Sequence, residues 1–245
     1  YEMVALSPAA CEELGIELSD EDRARPYIEM SGRKGLGVKA DDLINQLEAG
    51  ALTEVEKRNP DLSDTDKKTT AHEVAVAALR YFLLKFTRNT VIAFDFKEAL
   101  SFEGETGPYC QYAAVRTNSI FRKLANETVA AADALIEQVD VDSSLQARVA
   151  DVLSGESGTE IWSLLMLSQQ FDEVIAQCRN SAEPANLAKY TFSLARSFSR
   201  FYHDHRIITE EDEVRRGVLI AVTKVIRTQL TTALGILGIT VPEQM

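Results

Sequence analysis

Cysteine is scarce in this chain of 245 residues: Cys11, Cys110 and Cys178 are far apart and odd in number. That argues against a disulfide framework or a metal cluster and fits a reducing compartment. Histidine is as sparse, and His72, His203 and His205 have no cysteine or carboxylate partners at zinc-site spacing. His203 and His205 read as surface or helix-end residues. No apolar run reaches the length of a membrane span, and no signal-peptide pattern is read at the start, so a cytoplasmic chain with no membrane partner is expected. The single tryptophan, Trp162, sits among aliphatic residues and is expected in the core. Positive charge is in deficit as well: 26 Lys and Arg stand against 38 Asp and Glu, a net charge of −12. Taken alone, that balance speaks against nucleic acid.

The distribution of charge says something different. Residues 127–183 hold eleven acids and two bases. Residues 108–126 hold Arg116, Arg122 and Lys123 and no acid. Residues 184–206 carry Lys189, Arg196, Arg200 and Arg206 against Asp204, and residues 214–242 carry Arg215, Arg216, Lys224 and Arg227 with no acid. The three basic segments are expected to converge on one surface, with the acidic segment elsewhere.

Helical spacing dominates the rest. Helices are expected over 41–48 and 51–58, with Pro60 ending the second. Another starts near Ser63 and carries Val74, Ala77, Ala78, Tyr81 and Leu84 as its apolar stripe. Residues 90–96 alternate as a short extended piece. Residues 128–139 place Val129, Ala132 and Ile136 on one side, 144–153 form a further helix, and 154–159 read as a turn. After Pro184 a long helix turns Leu187, Leu194, Phe198 and Phe201 inward, with Lys189, Arg196, Arg200 and His203 as a basic stripe beside them. The last helix, about 211–235, buries Val218, Leu219, Val222, Ile226 and Leu230.

Two stretches carry candidate chemistry. In residues 101–116, Gly104 and Gly107 can take positive φ and close a tight loop. Pro108 suits the start of the helix that follows. On that helix Tyr109, Tyr112, Arg116 and Lys123 share one face, while Ala113, Ile120 and Leu124 can pack inward. Two tyrosines and two cations suit single-stranded RNA, with rings stacking bases and cations meeting phosphates. Half-buried packing and a solvated face account for the same spacing, so it leaves both readings open. In residues 31–39, three glycines and three bases make a cationic loop able to wrap phosphate. It lacks the Walker spacing, and a plain basic loop fits it equally.

Phe-Glu-Gly-Glu-Thr-Gly-Pro-Tyr-Cys-Gln-Tyr-Ala, from Phe102 to Ala113, resembles the loop and helix that open the anticodon-binding domain of arginyl-tRNA synthetases. Glu29-Met-Ser-Gly-Arg-Lys-Gly35 resembles the Lys-Met-Ser-Lys-Ser loop of class I aminoacyl-tRNA synthetases, with Glu29 and Gly32 departing from the pattern. Leu187 to Tyr202 and the ending Leu234 to Met245 are similar to segments of the same family. Glu213-Val-Arg-Arg stands in the place of its Asp-Ala-Leu-Arg tetrapeptide and matches it poorly.

The resemblance implies a mostly α fold. Residues 1–62 would be the tail of a class I α/β catalytic domain with the signature loop, and residues 63–245 a helical-bundle anticodon-binding domain. It implies that Met30, Ser31, Arg33 and Lys34 belong to a clamp over ATP. It implies tRNA contacts at Phe102, Glu103, Gly104, Gly107, Tyr109, Tyr112, Arg116, Arg200, Tyr202 and Met245, and no metal held by these residues. The partner implied is tRNA(Arg), with L-arginine, ATP and Mg2+ handled through a catalytic domain. The chain is expected to be the C-terminal half of a longer, monomeric ligase, ending at a natural Met245 and inactive alone. The competing expectation is a free-standing helical tRNA-binding or adaptor protein derived from a class I synthetase, with cysteinyl and methionyl types matching less well.

Overall fold

The structure is a computed structural model, and it describes residues 3–30 and 37–245. The signature-loop residues Ser31, Arg33 and Lys34 lie outside the described residues. Among those described are two strands and twelve helices. β1 (Met3–Leu6) and β2 (Val91–Phe94) pair in parallel, from Met3↔Val91 to Leu6↔Phe94. Their ends are tied by capping groups: Ser7 Oγ accepts from the Ala10 N–H that opens α1 (Pro8–Glu13) and donates to Asp95 Oδ2 at 2.7 Å. Asp95 in turn caps α5 (Phe96–Ala99). Between the strands lie α2 (Asp20–Arg23), α3 (Ala40–Arg58) and α4 (Asp64–Leu84).

Where the sequence reads two helical pieces, α3 is continuous. Its buried stripe Leu47, Ala51 and Val55 runs at four-residue spacing straight through Gly50. A Cβ at Gly50 would lie 2.7 Å from Leu100 Cδ1, so this glycine admits a neighbour rather than ending the helix.

Two cores meet on α4. Val74, Ala78 and Phe82 join an N-terminal core with Leu47, Ile92, Phe94 and Phe96. Ala77 and Tyr81 join a helical core built from α6 (Gly107–Lys123), α7 (Asn126–Gln138), α9 (Gly155–Gln169), α11 (Ala185–Asp204) and α12 (Glu213–Ile236). Partly buried residues of α8 (Ser143–Val152) and α10 (Phe171–Ser181) cover that core. Tyr81 spans the junction, its hydroxyl donating to Ala188 O at 2.9 Å. At the far end of α12, Arg80 Nε donates to Leu237 O at 2.8 Å.

Several expectations are corrected here. Trp162 is 47% exposed: the inward stripe of α9 is Ile161, Leu164 and Ser168, which turns Trp162 and Met166 to solvent. Residues 155–159 are the first turn of α9, not a separate turn. Gly158 permits it, since a Cβ there would fall 2.2 Å from the Leu153 carbonyl. Ile136 is exposed; Ala132 is buried and Leu135 lies over Gly217 in its stead. His205 does end α11, but it is buried. By length and hydropathy α12 could cross a membrane, yet its apolar face, from Val218 to Leu234, lies in the helical core.

Candidate nucleic-acid interface

The candidate surface is built on α6 and α11. Thr106 caps α6, its Oγ1 accepting from Tyr109 N–H. Gly107 is buried, and its φ is not in the positive range, unlike that of Gly104 at 78°. What Gly107 permits is close approach: a Cβ would sit 2.2 Å from Ala77 O of α4. Burial raises the thiol pKa of Cys110 and the phenol pKa of Tyr81, so both stay neutral packing groups. With this edge held, the opposite edge of α6 faces α11.

Two aromatic–cation clusters line that seam. Tyr109 packs on Phe192, ring centroids 5.4 Å apart, and the Arg196 guanidinium lies over Phe192 at 5.7 Å. One step further along both helices, the Arg116 guanidinium lies 4.6 Å from the Tyr112 ring and 4.8 Å from the Tyr202 ring. Tyr202 is backed by Phe198. Beside this stack opens a shallow pocket of about 490 Å³ lined by Arg116, Tyr202, His203, Arg206 and Ile208. Among the described residues, Arg116, Lys123, Lys189, Arg196, Arg200 and Arg206 form no ion pair. Half-buried rings holding a guanidinium, with unpaired cations around them, can stack a base and meet phosphate.

Beneath the pocket His205 is locked from several sides. Its Nδ1 lies 3.2 Å from Arg215 Nη2 and its ring 4.8 Å from Phe201. Burial and the Arg215 charge lower its pKa, against Glu160, Asp204 and Glu210. Because Arg215 can only donate, Nδ1 accepts and the ring is neutral.

The remaining sequence-derived candidates lie apart. Phe102 is held under the Arg58 guanidinium at 4.0 Å and against the N-terminal core. Glu103 and Gly104 are exposed on a groove shared with Asp95, Glu98 and Glu105 and with Lys85 and Lys97, a setting of mixed charge in which Lys85 pairs with Glu98. Ser101 Oγ donates to Glu103 O, and Thr106 Oγ1 to Ser101 O at 2.6 Å, which fixes the loop. Met30 and Met245 both pack on the N-terminal core, so Met245 is not brought to the Arg116 stack. Arg200 is exposed on α11 near Tyr202 in sequence. Sequence reasoning missed Phe192 and Ile208, and named Arg206 only as part of a basic segment. Phe192 could have been found, since it lies between Lys189 and Arg196 on the basic stripe.

Residues 110–245 match the model of the DALR anticodon binding domain, a helical class that agrees with the bundle of α6–α12. The chain belongs to this family. It is 34% identical over 230 residues to the arginine–tRNA ligase of Pyrococcus abyssi, covering 93% of this chain and 34% of that protein. It is 36% identical over 232 residues to that of Thermococcus kodakarensis, with the same coverages, 93% and 34%. The solved arginyl-tRNA synthetase of Thermus thermophilus superposes with a TM-score of 0.74 at 26% identity, covering 100% of this chain and 35% of that one. The chain thus spans about a third of the length of the curated relatives it matches.

Proposed function

We propose that this chain is the tRNA-recognition part of an arginine–tRNA ligase and that it holds the anticodon stem-loop of tRNA(Arg) on the α6–α11 seam. The observation that carries this reading is the Arg116 guanidinium held between Tyr112 and Tyr202, beside unpaired cations, in a chain of the DALR family. The rings and guanidinium present flat, partly apolar faces to unstacked bases. Lys123, Arg196, Arg200 and Arg206 supply the sequence-independent phosphate attraction. Tyr109 contributes through Phe192, Gly107 seats α6 on α4, Phe102 and Met245 pack on the neighbouring core, and Glu103 and Gly104 stand on the exposed loop before α6.

In the whole enzyme the reaction is ATP + L-arginine + tRNA(Arg) to arginyl-tRNA(Arg) + AMP + PPi, with Mg2+ on the nucleotide, in the cytoplasm and as a monomer. On this reading residues 1–62 are the tail of the catalytic domain, with Met30, Ser31, Arg33 and Lys34 in the nucleotide clamp, and residues 63–245 are the anticodon-binding domain. The chain alone binds tRNA and catalyses nothing.

The test is binding of arginine-tRNA transcripts, unaltered and with the middle anticodon base changed, at two salt concentrations. Base–aromatic stacking is worth about 1–3 kcal/mol per base. Tyr202→Ala is therefore expected to raise Kd for the unaltered transcript by about 5- to 150-fold and to erase its advantage. Equal affinity of the parent chain for both transcripts would refute anticodon reading by this surface.

A further inference from the structure

A further aromatic–cation pair, Phe121 of α6 with Arg227 of α12, lies away from the α11 seam. The groove between α6, α12 and the C-terminal segment, about 450 Å³, is lined by Asn118, Phe121, Arg122, Arg227, Pro242 and Glu243. Arg227 Nε donates to Asn118 Oδ1 at 2.7 Å, and its guanidinium lies 5.0 Å from the Phe121 ring centroid. One edge and one face of this guanidinium are thereby fixed. Its Nη groups have no hydrogen-bond or ion-pair partner among the described residues. Arg122 is fixed as well: Nη1 donates to Glu243 O at 2.6 Å and Nη2 to Ser119 Oγ at 2.7 Å. Two guanidinium groups already oriented lose little rotamer freedom on meeting an anion, and the planar fork matches a phosphate.

The groove lies on the far side of α6 from Arg116, and the C-terminal end of that helix separates it from the proposed RNA surface. Lys123 is two turns beyond Arg116 on the same face, roughly 10 Å along the axis, and it adjoins Arg122 in the chain. Asn118 and Phe121 lie about 200° and 140° around α6 from Arg116, so a strand leaving the Tyr112–Arg116–Tyr202 stack reaches the groove by passing Lys123 and turning around the C-terminal end of α6. Glu243 is the one acid among these lining residues. It also lines a second pocket together with Glu73 of α4.

We propose that this groove is a phosphate subsite for the RNA strand whose bases stack at Arg116, with Arg227 as its ligand and Arg122 and Lys123 beside it. The inference rests on the tRNA reading above, but it concerns backbone contact rather than base discrimination.

The experiment measures Kd for the two transcripts across a salt series, with the parent chain and with Arg227→Gln, Arg227→Lys and Tyr202→Ala. One phosphate contact contributes close to one unit of the log Kd against log salt slope. Arg227→Gln is expected to lower that slope by about one and to weaken both transcripts by the same factor, while Arg227→Lys keeps the parent slope. A parent-like slope in Arg227→Gln overturns the proposal. So does loss of discrimination between transcripts in Arg227→Gln, because Arg227 would then belong to the base-reading site. The base-reading site is judged separately by Tyr202→Ala: if it discriminates as the parent does, the stack reading fails while the Arg227 slope still decides the groove. Thermal melts of each variant separate lost binding from lost folding.

Discussion

Gly107→Ala tests how the whole candidate surface is seated. The added Cβ would stand 2.2 Å from Ala77 O, 2.6 Å from Ala77 C and 3.0 Å from Tyr81 Cβ. Because φ at Gly107 is not in the positive range, alanine meets no backbone strain, and its lower unfolded-state entropy would favour folding by about 0.4–1 kcal/mol. The cost is therefore steric. The two nearest atoms are backbone atoms of α4, so no rotamer change relieves the overlap. Ordinary contact begins near 3.4 Å, and the first turn of α6 must retreat by about 1 Å to reach it. That retreat loosens Cys110, Ala113 and Ala114, which are at most 1% exposed. Overpacking typically costs about 1–3 kcal/mol; with backbone against backbone the upper end applies. For a chain of this size, about 3 kcal/mol is a fall of roughly 6–12 °C in Tm. Thermal and urea melts followed by circular dichroism measure it. Ala77→Gly in the same background is expected to restore nothing, since the clashing atoms remain. A Gly107→Ala chain that melts with the parent, or a rescue by Ala77→Gly, would refute the seating argument.

Other perturbations follow from the same packing. Gln111 is fully buried, and its Nε2 donates to Glu73 O at 3.2 Å and Thr240 O at 2.6 Å; Gln111→Leu leaves two carbonyls without that donor. A loss of about 2 kcal/mol is expected, with faster amide hydrogen exchange over residues 239–243 as the local readout. His205 has its pKa lowered from the ordinary 6.5 by burial and by Arg215, so its contribution to stability is full above pH 6.5 and is lost as pH falls through the folded value. A urea-midpoint profile below pH 6.5 should be shallower in His205→Gln than in the parent, and equal slopes would contradict the assignment. Trp162 is the only tryptophan and is 47% exposed, so its fluorescence should be quenched readily by acrylamide. Trp162→Ser should cost less than about 1 kcal/mol, whereas Ile161→Ala, at a fully buried position, should cost about 2–5 kcal/mol.

What was legible in the sequence is what a single helix decides for itself. Along α11 the buried residues Leu187, Leu194, Phe198 and Phe201 and the exposed Lys189, Arg196, Arg200 and His203 follow from period alone. The phase of α9 was not legible, because Ile161, Trp162, Leu164, Leu165, Met166 and Leu167 are all apolar and periodicity cannot choose among them. Gly50 and Gly158 resembled breaks for the same local reason; each in fact admits a distant or neighbouring group that only the fold brings close. In the candidate site, the line of Tyr109, Tyr112 and Arg116 was readable. Its partners on α11 and the pairing of Phe121 with Arg227 on α12 depend on helix packing, which local sequence does not encode.

The excess of acid, and the proposal of an RNA surface, are reconciled by how the charges pair. The expectation that three basic segments share one surface holds for the first two, which meet at Arg116 and Tyr202. The third is divided. Lys224 is bound to Asp133 of α7 at 2.7 Å, and Arg215 to Glu210 at 3.0 Å. Arg216 donates to Glu210 O. Asp212 is taken by Arg148 of α8 at 3.1 Å. Only Arg227 turns toward α6. Much of the basic charge on α12 is thus spent against neighbouring acids, while the cations of α6 and α11 are left without ion pairs among the described residues. At physiological ionic strength charges interact over about 8 Å, so acids on the far side of the bundle do little to a phosphate at Arg116. Affinity for an anionic strand is set by which cations are unpaired and where they lie, and net charge is a poor guide to it.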